Sequence, residues 1–227
     1  LSRDRFGEKP LFYFQSKNEF IFGSEIKVIK KILDKKLQIN YDRIDNLLRF
    51  GYKILFKSHD TYFKNINNFP KGHYYLFKNN KIIKDKYWKI NYRPNKDLVN
   101  NNFRSIKESL FNSIKLRLRS DVPIAFLLSG GIDSNALVSI AKKHFNQNVS
   151  TFSVINRDEK FDEGKYIDIA RKNLKTDHTN LKFDFDKNDF IKKLRKQIIY
   201  HDSPVTMVNS FLQFELLKII KKKGFKV

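Results

Sequence analysis

The chain has 227 residues, 41% of them hydrophobic and none of them cysteine, and it carries a formal net charge of +22. This length and apolar content allow one large or two smaller packed domains, while the lack of cysteine excludes disulfide frameworks, thiolate metal sites and a cysteine nucleophile within these residues. No apolar run approaches the ~18 residues that span a bilayer and no basic-then-apolar leader opens the chain, so a soluble, cytoplasmic protein with no membrane partner is expected.

In chain order, the short apolar runs Leu11 to Phe14 and Phe20 to Phe22 flank the polar turn Gln15-Ser16-Lys17-Asn18 and predict a hairpin. Ser24 is placed to cap a helix carrying Ile26, Ile29, Ile32 and Leu33 on one face. A second short helix is predicted from Tyr41 to Phe50, ended by Gly51. Beyond Pro70-Lys71-Gly72, the run Tyr74 to Phe77, the turn Asn79-Asn80 and Ile82-Ile83 form another hairpin candidate. This first part reads as α+β with antiparallel pairing. Periodicity stops at Asn91-Tyr92-Arg93-Pro94-Asn95-Lys96, the best linker, which gives predicted domains 1–95 and 96–227.

Regular structure resumes near Asn100. Phe103, Ile106, Leu110 and Ile114 follow helical spacing, and Val122 to Leu128 is a continuous apolar run suited to a buried parallel strand. The signals then alternate. A helix from Ala136 to Phe145 precedes a strand from Val149 to Ile155, and a helix from Glu163 to Leu174, capped by Asp162, precedes a strand from Asn180 to Phe185. Helices from Phe190 to Tyr200 and Phe211 to Ile220 follow, with Lys221-Lys222-Lys223 in the last turn, Gly224 past its end and Phe225-Lys226-Val227 entering another strand. Such alternation predicts a doubly wound α/β sheet. The chain opens on Leu1, has its single methionine at Met207 and closes as a strand cut short, so an internal piece of a longer protein is expected.

The chemistry concentrates in Ser129-Gly130-Gly131-Ile132-Asp133-Ser134, between the buried strand and the next helix. That is the carboxyl edge of a parallel sheet, where ligands bind in this architecture. Two glycines let the backbone turn tightly and approach a ligand, and N–H groups at the turn and helix start form an anion site aided by the helix dipole. Ser129 and Ser134 add hydroxyl donors. Asp133 would repel phosphate, and a bridging Mg²⁺ resolves the conflict. Neither G-x-x-x-x-G-K-[ST] nor G-x-G-x-x-G occurs in the chain.

The string after its buried strand resembles the pyrophosphate loop of the N-type ATP pyrophosphatases, which cleave ATP between the α and β phosphates to make acyl-adenylates. Within them the chain resembles glutamine-hydrolysing asparagine synthetase along nearly its whole length. Arg3-Asp4-Arg5-Phe6-Gly7-Glu8-Lys9-Pro10-Leu11 and Phe22-Gly23-Ser24-Glu25-Ile26-Lys27 look like the closing part of that family's class II glutamine amidotransferase domain. Asn68-Phe69-Pro70-Lys71-Gly72-His73 and Tyr87-Trp88 resemble its later landmarks, as do Thr151-Phe152-Ser153-Val154 with Phe161-Asp162-Glu163, and His201-Asp202-Ser203-Pro204.

The resemblance implies an Ntn-type glutaminase sandwich ending in the first part and a Rossmann-like ATP pyrophosphatase sheet in the second. It implies that Leu128 and Val154 hold the adenosine part of ATP through backbone contacts, that Ser129, Gly130, Gly131, Asp133 and Ser134 hold pyrophosphate, and that Asp133 reaches Mg²⁺ through it. The reaction implied is adenylation of the aspartate side chain to β-aspartyl-AMP, followed by attack of ammonia released from glutamine. Small-molecule partners (ATP, glutamine, aspartate or a related carboxylate) are expected, with a homodimer compatible. The family's glutaminase cysteine would lie before Leu1 and its second glycine-rich acidic loop after Val227, so no residue here is a certain catalytic one. The piece alone is expected to bind ATP weakly and form no acyl-adenylate.

Asn135 stands where the family more often has a hydroxyl residue, and Ser203 where an acid is common. These departures keep open an acceptor other than aspartate, such as a sugar acid of surface polysaccharide. Two further classes compete: an adenylating enzyme with another nucleophile, and a binding module driven by charge. No nucleic-acid motif accompanies the lysines, so no nucleic-acid partner is expected. His201-Asp202-Ser203 cannot converge as a triad because contiguous residues do not reach that geometry. His59, His73, His144 and His178 lack metal-ligand spacing, and a Ser24/Lys27 nucleophile gives way to the capping role.

Overall fold

The computed structural model describes residues 1–51, 57–78, 81–92, 102–155, 162–182 and 187–226. They divide into two compact units, Leu1–Arg93 with Ile198–Thr206, and Pro94–Gln197 with Met207–Val227. Among the described residues no helix is long and apolar enough to cross a membrane.

The first unit contains β1 (Phe12–Gln15), β2 (Phe20–Gly23), α1 (Ile26–Leu33), α2 (Tyr41–Phe50), β3 (Ile66–Asn68), β4 (His73–Lys78) and β5 (Lys81–Lys86). An antiparallel sheet has the order β2-β1-β3, and β4 and β5 pair separately. Phe14 stands opposite Ile21 and Ile66, and with Ile26 and Ile29 of α1 these form a core. Residues 26, 29 and 33 lie within one 60° sector of a helix, whereas residue 32 points about 100° away. Ile32 is accordingly 58% exposed rather than on the buried face. The α1 cap also differs from expectation: the N-cap position is Glu25, without a side-chain bond. The Lys27 N–H instead donates to Asp202, 175 residues away in sequence. Asn79-Asn80 lies outside the described residues.

Three of the sequence landmarks meet in one knot of this unit. The Asp4 carboxylate accepts the N–H groups of Glu8, Phe6 and Lys9, which hold its pKa below the usual carboxylate range. The Arg3 guanidinium donates to the carbonyls of Lys9, Phe69 and Gly7. Gly72, at φ +68°, has the Trp88 carbonyl 2.7 Å from where a Cβ would sit, and its N–H donates to Asp4 O. Trp88 packs edge-on against Phe6, and the Tyr87 hydroxyl donates to Arg3 O. These residues are tied to one another by packing and backbone bonds.

The second unit contains α3 (Asn102–Arg117), β6 (Ala125–Leu127), α4 (Ile132–Ser139) with a π-helical turn (Ile140–His144), β7 (Ser150–Ile155), α5 (Gly164–Leu174), β8 (Asp177–Lys182), α6 (Lys187–His201) and α7 (Val208–Lys222). The last turn of α6 groups with the first unit. β6, β7 and β8 form a parallel sheet in that order. Right-handed crossovers between consecutive neighbours place α4 and α5 on the same face. Leu128, Val138, Ala141, Ile167 and Leu174 pack there with Phe126 and Ile155. Alternation sends Ala125, Phe152, Val154 and Leu181 to the other face, where Leu216 and Ile220 of α7 cover them. Helices thus lie on both faces, and β6 and β7 end at the same edge.

Several boundaries depart from the sequence reading. The first parallel strand is only Ala125–Leu127, because Pro123 has no N–H to give a ladder. The following helix begins at Ile132 rather than Ala136 and passes into the π turn. The last strand spans Asp177–Lys182 instead of Asn180 to Phe185, of which residues 183–185 lie outside the described ones. Phe225 and Lys226 belong to no strand, and Phe225 packs edge-on against Phe152 at 5.3 Å. On α3, Phe103 and Ile106 are 85% and 62% exposed and only Ile114 is buried. Most of the linker, residues 93–96, lies outside the described residues.

Candidate functional site

The site grows from the end of β6. Leu128 is buried, its N–H donating to Phe152 O at 2.9 Å and its carbonyl accepting the hydroxyl of buried Ser153. Both backbone groups of Leu128 are therefore engaged in aligning the strand ends. The chain then leaves the sheet and turns through Ser129, Gly130 and Gly131 into α4, with Gly131 as N-cap.

Two side chains hold that turn. The Ser134 Oγ accepts the Ser129 N–H at 3.1 Å and stands 2.9 Å from the Ser129 Oγ, which in turn accepts the Gly131 N–H at 3.2 Å. The Asn135 amide sends its two N–H bonds to the carbonyls of Ser129 and Gly131, at 2.9 and 2.8 Å. One hydroxyl has a single proton and cannot donate to both carbonyls, whereas an amide nitrogen can. Asn135 is thus the double brace of the loop. Asn135→Ala is expected to cost about 1 kcal/mol of stability, the usual net worth of such bonds at a part-exposed site. A urea midpoint equal to the parent's would remove Asn135 from this role.

The N–H groups of Ile132, Asp133 and Ser134 form the first turn of α4 and have no helical carbonyl to meet. Their dipole end favours an anion. Asp133 is exposed in this same turn. Among the described residues no cluster of three or more His, Asp or Glu could hold a metal by itself.

Glu163 completes the site. It lies past the end of β7, at the N-cap of α5, and its Oε2 accepts the Gly130 N–H at 2.7 Å. A Cβ on Gly130 would meet Glu163 Cβ at 2.9 Å and Tyr166 Cβ at 3.2 Å. Asp162, the expected cap, accepts the Gly164 N–H at 3.2 Å, one position before the N-cap. A role for Glu163 in the loop was missed from the sequence; the available signal was an acid just after the second parallel strand, where loops from neighbouring strand ends meet.

Val154 pairs with Leu181 of β8, and its side chain joins the core under α7. Phe152 O accepts from Leu128, so the two-residue alternation also turns the Val154 backbone toward β6. There β6 has already ended. Leu128, the loop residues Ser129 to Ser134 and Val154 therefore share one sheet edge.

A family model described as asparagine synthase matches residues 105–227, and a glutamine amidotransferase domain model matches residues 1–88. The chain is 32% identical over 230 residues to a Methanocaldococcus jannaschii protein provisionally named glutamine-hydrolyzing asparagine synthetase 2, covering 97% of this chain and 43% of that one. It is 26% identical over 205 residues to the glutamine-hydrolyzing asparagine synthetase 1 of Bacillus subtilis, covering 90% and 31%. Asparagine synthetase 2 of the same organism is 33% identical over 189 residues, covering 77% and 24%. The chain spans less than half the length of these relatives.

Proposed function

The chain belongs to the asparagine synthase family, whose model matches more than half of it, and from that premise we propose that it works as part of an ATP- and glutamine-dependent ligase that forms an amide. On this reading residues 1–95 are the later part of a class II, Ntn-type glutamine amidotransferase domain, and residues 96–227 begin a doubly wound ATP pyrophosphatase domain. The sheet with helices on both faces and a loop at its carboxyl edge supports the second assignment. Residue matches to a glutamine amidotransferase domain support the first.

The observation that supports this most is the Gly130 N–H bonded at 2.7 Å to a carboxylate oxygen of Glu163, an oxyanion of the chain itself at this backbone donor. An acceptor carboxylate oxygen attacks the α phosphorus of ATP, the bond from that phosphorus to the bridging oxygen breaks, and pyrophosphate leaves. Ammonia nitrogen then attacks the acyl carbon, AMP departs with the former carboxylate oxygen, and one proton is released. Ser129, Gly130, Gly131 and Ser134 would receive charge on departing pyrophosphate, a preorganised set of donors at the site where charge develops. The backbone of Val154, past the end of β6, would meet the adenosine portion, and Leu128, whose N–H already bonds Phe152 O, would offer it only the second lone pair of its carbonyl.

Mg²⁺ fits this donor set only together with phosphate. Asp133 would supply one hard oxygen to such an ion, and bound phosphate would supply others. Bound there, the ion neutralises phosphate charge. Asp133→Ala is therefore expected to reduce the gain in pyrophosphate affinity produced by magnesium chloride by about tenfold, the scale of a close charge pair in water. Calorimetry with and without the metal measures it, and an unchanged gain excludes Asp133 from the site.

Aspartate is the acceptor this reading assigns. Exchange of pyrophosphate into ATP by the longer protein, dependent on a sugar acid and indifferent to aspartate, would decide for the alternative acceptor.

A further inference from the structure

We propose that Glu163 is an internal competitor for the pyrophosphate loop, a specificity-determining residue that withholds the Gly130 N–H from single-phosphate anions and yields it to pyrophosphate. The inference rests on the reading of Ser129 to Ser134 as a pyrophosphate site. Three observations carry it. The Glu163 Oε2 occupies the Gly130 N–H at 2.7 Å, where a phosphate oxygen would bond. The contact is built in by packing, because the Cβ atoms of Glu163 and Tyr166 stand so close to Gly130 that no side chain fits there. Glu163 is also carried on the N-cap of α5, so its carboxylate is delivered by a different strand end from the loop it plugs.

An entering anion must therefore displace one hydrogen bond and oppose one negative charge. Pyrophosphate can spread further oxygens over the remaining N–H and hydroxyl groups of the turn and offset that loss. Orthophosphate has too few oxygens in reach to do so. A carboxylate in this place acts as a threshold, selecting ligands by the number of donors they can engage at once.

The test is the 227-residue chain titrated with inorganic pyrophosphate and with orthophosphate in magnesium-free buffer, as parent, E163Q and E163A. E163Q keeps the volume and an acceptor oxygen and removes only the charge, so it guards against a fold defect in E163A. Pyrophosphate is expected to bind about fivefold more tightly to both variants, the scale of an exposed like-charge contact. Orthophosphate is expected to gain more, so that discrimination between the two anions narrows. The Gly130 amide should also exchange faster with solvent in ligand-free E163A than in the parent. Parent-like affinities for both anions in both variants would overturn the competitor while leaving the loop a pyrophosphate site. Failure of every protein, parent included, to bind pyrophosphate even after magnesium chloride is added would overturn both.

Discussion

Gly130→Ala is expected to lower pyrophosphate affinity by about a hundredfold or more, because small displacements of positioning groups carry penalties of that size. The cause is space. The added methyl would stand 2.9 Å from Glu163 Cβ and 3.2 Å from Tyr166 Cβ, atoms fixed to the backbone of α5 and its cap. They cannot swing away as a side-chain tip could, so the loop or the start of α5 must shift, at about 1–3 kcal/mol of stability. Every donor in the turn moves with it, since Ser129, Gly131, Ser134 and Asn135 are bonded to one another. Gly131→Ala is the control. Its methyl would meet only the Ser129 Oγ at 3.3 Å, and less than tenfold loss is expected, on the same positional argument. Calorimetric titration with pyrophosphate decides it: parent-like affinity in Gly130→Ala would show that the glycine is a turn residue and nothing more.

Phe152→Ala is expected to destabilise the second unit by about 3–5 kcal/mol, the range for removing a fully buried aromatic ring. Phe152 is 1% exposed in the middle of β7, beneath Leu216 and Ile220, with Phe225 against its edge. Its carbonyl also receives the Leu128 N–H, so this position joins the core to the edge that carries the loop. Urea unfolding followed by probes in each unit is the measurement, because two units need not melt together. Phe103→Ala, at an 85% exposed position, is expected to stay within about 0.5 kcal/mol of the parent. A loss below 1 kcal/mol at Phe152 would contradict the core described between β7 and α7.

The same apolar spacing meant different things at different places. On α1 the periodic residues Ile26 and Ile29 are buried, and on α3 Phe103 and Ile106 stand open. Periodicity marks a face able to be covered, and whether anything covers it depends on distant segments. Asn135 illustrates the converse. Its departure from the family string was read as keeping another acceptor open, and in the fold its amide supplies two bonds where a hydroxyl has one proton to give.

What the residues determined by themselves was local. Apolar runs bounded by turns placed β1, β2, α2, β4 and β7 within a residue or two, because strand and helix periods are written in neighbouring positions. The two glycines of Ser129 to Ser134 likewise marked a tight turn between β6 and α4, since backbone freedom is a property of the string, and its donors are the basis of the anion loop proposed above. Only the tertiary structure decided what meets that loop. Glu163 lies 33 residues beyond Gly130 and reaches it because β6 and β7 are adjacent and parallel, ending at the same edge. It also decided that Asp202 bonds the Lys27 N–H across 175 residues, and that three-residue β3 pairs with β1. A short strand has too few residues to show a period, and a carboxylate has no preferred partner until folding brings a donor within about 3 Å, the reach of a hydrogen bond.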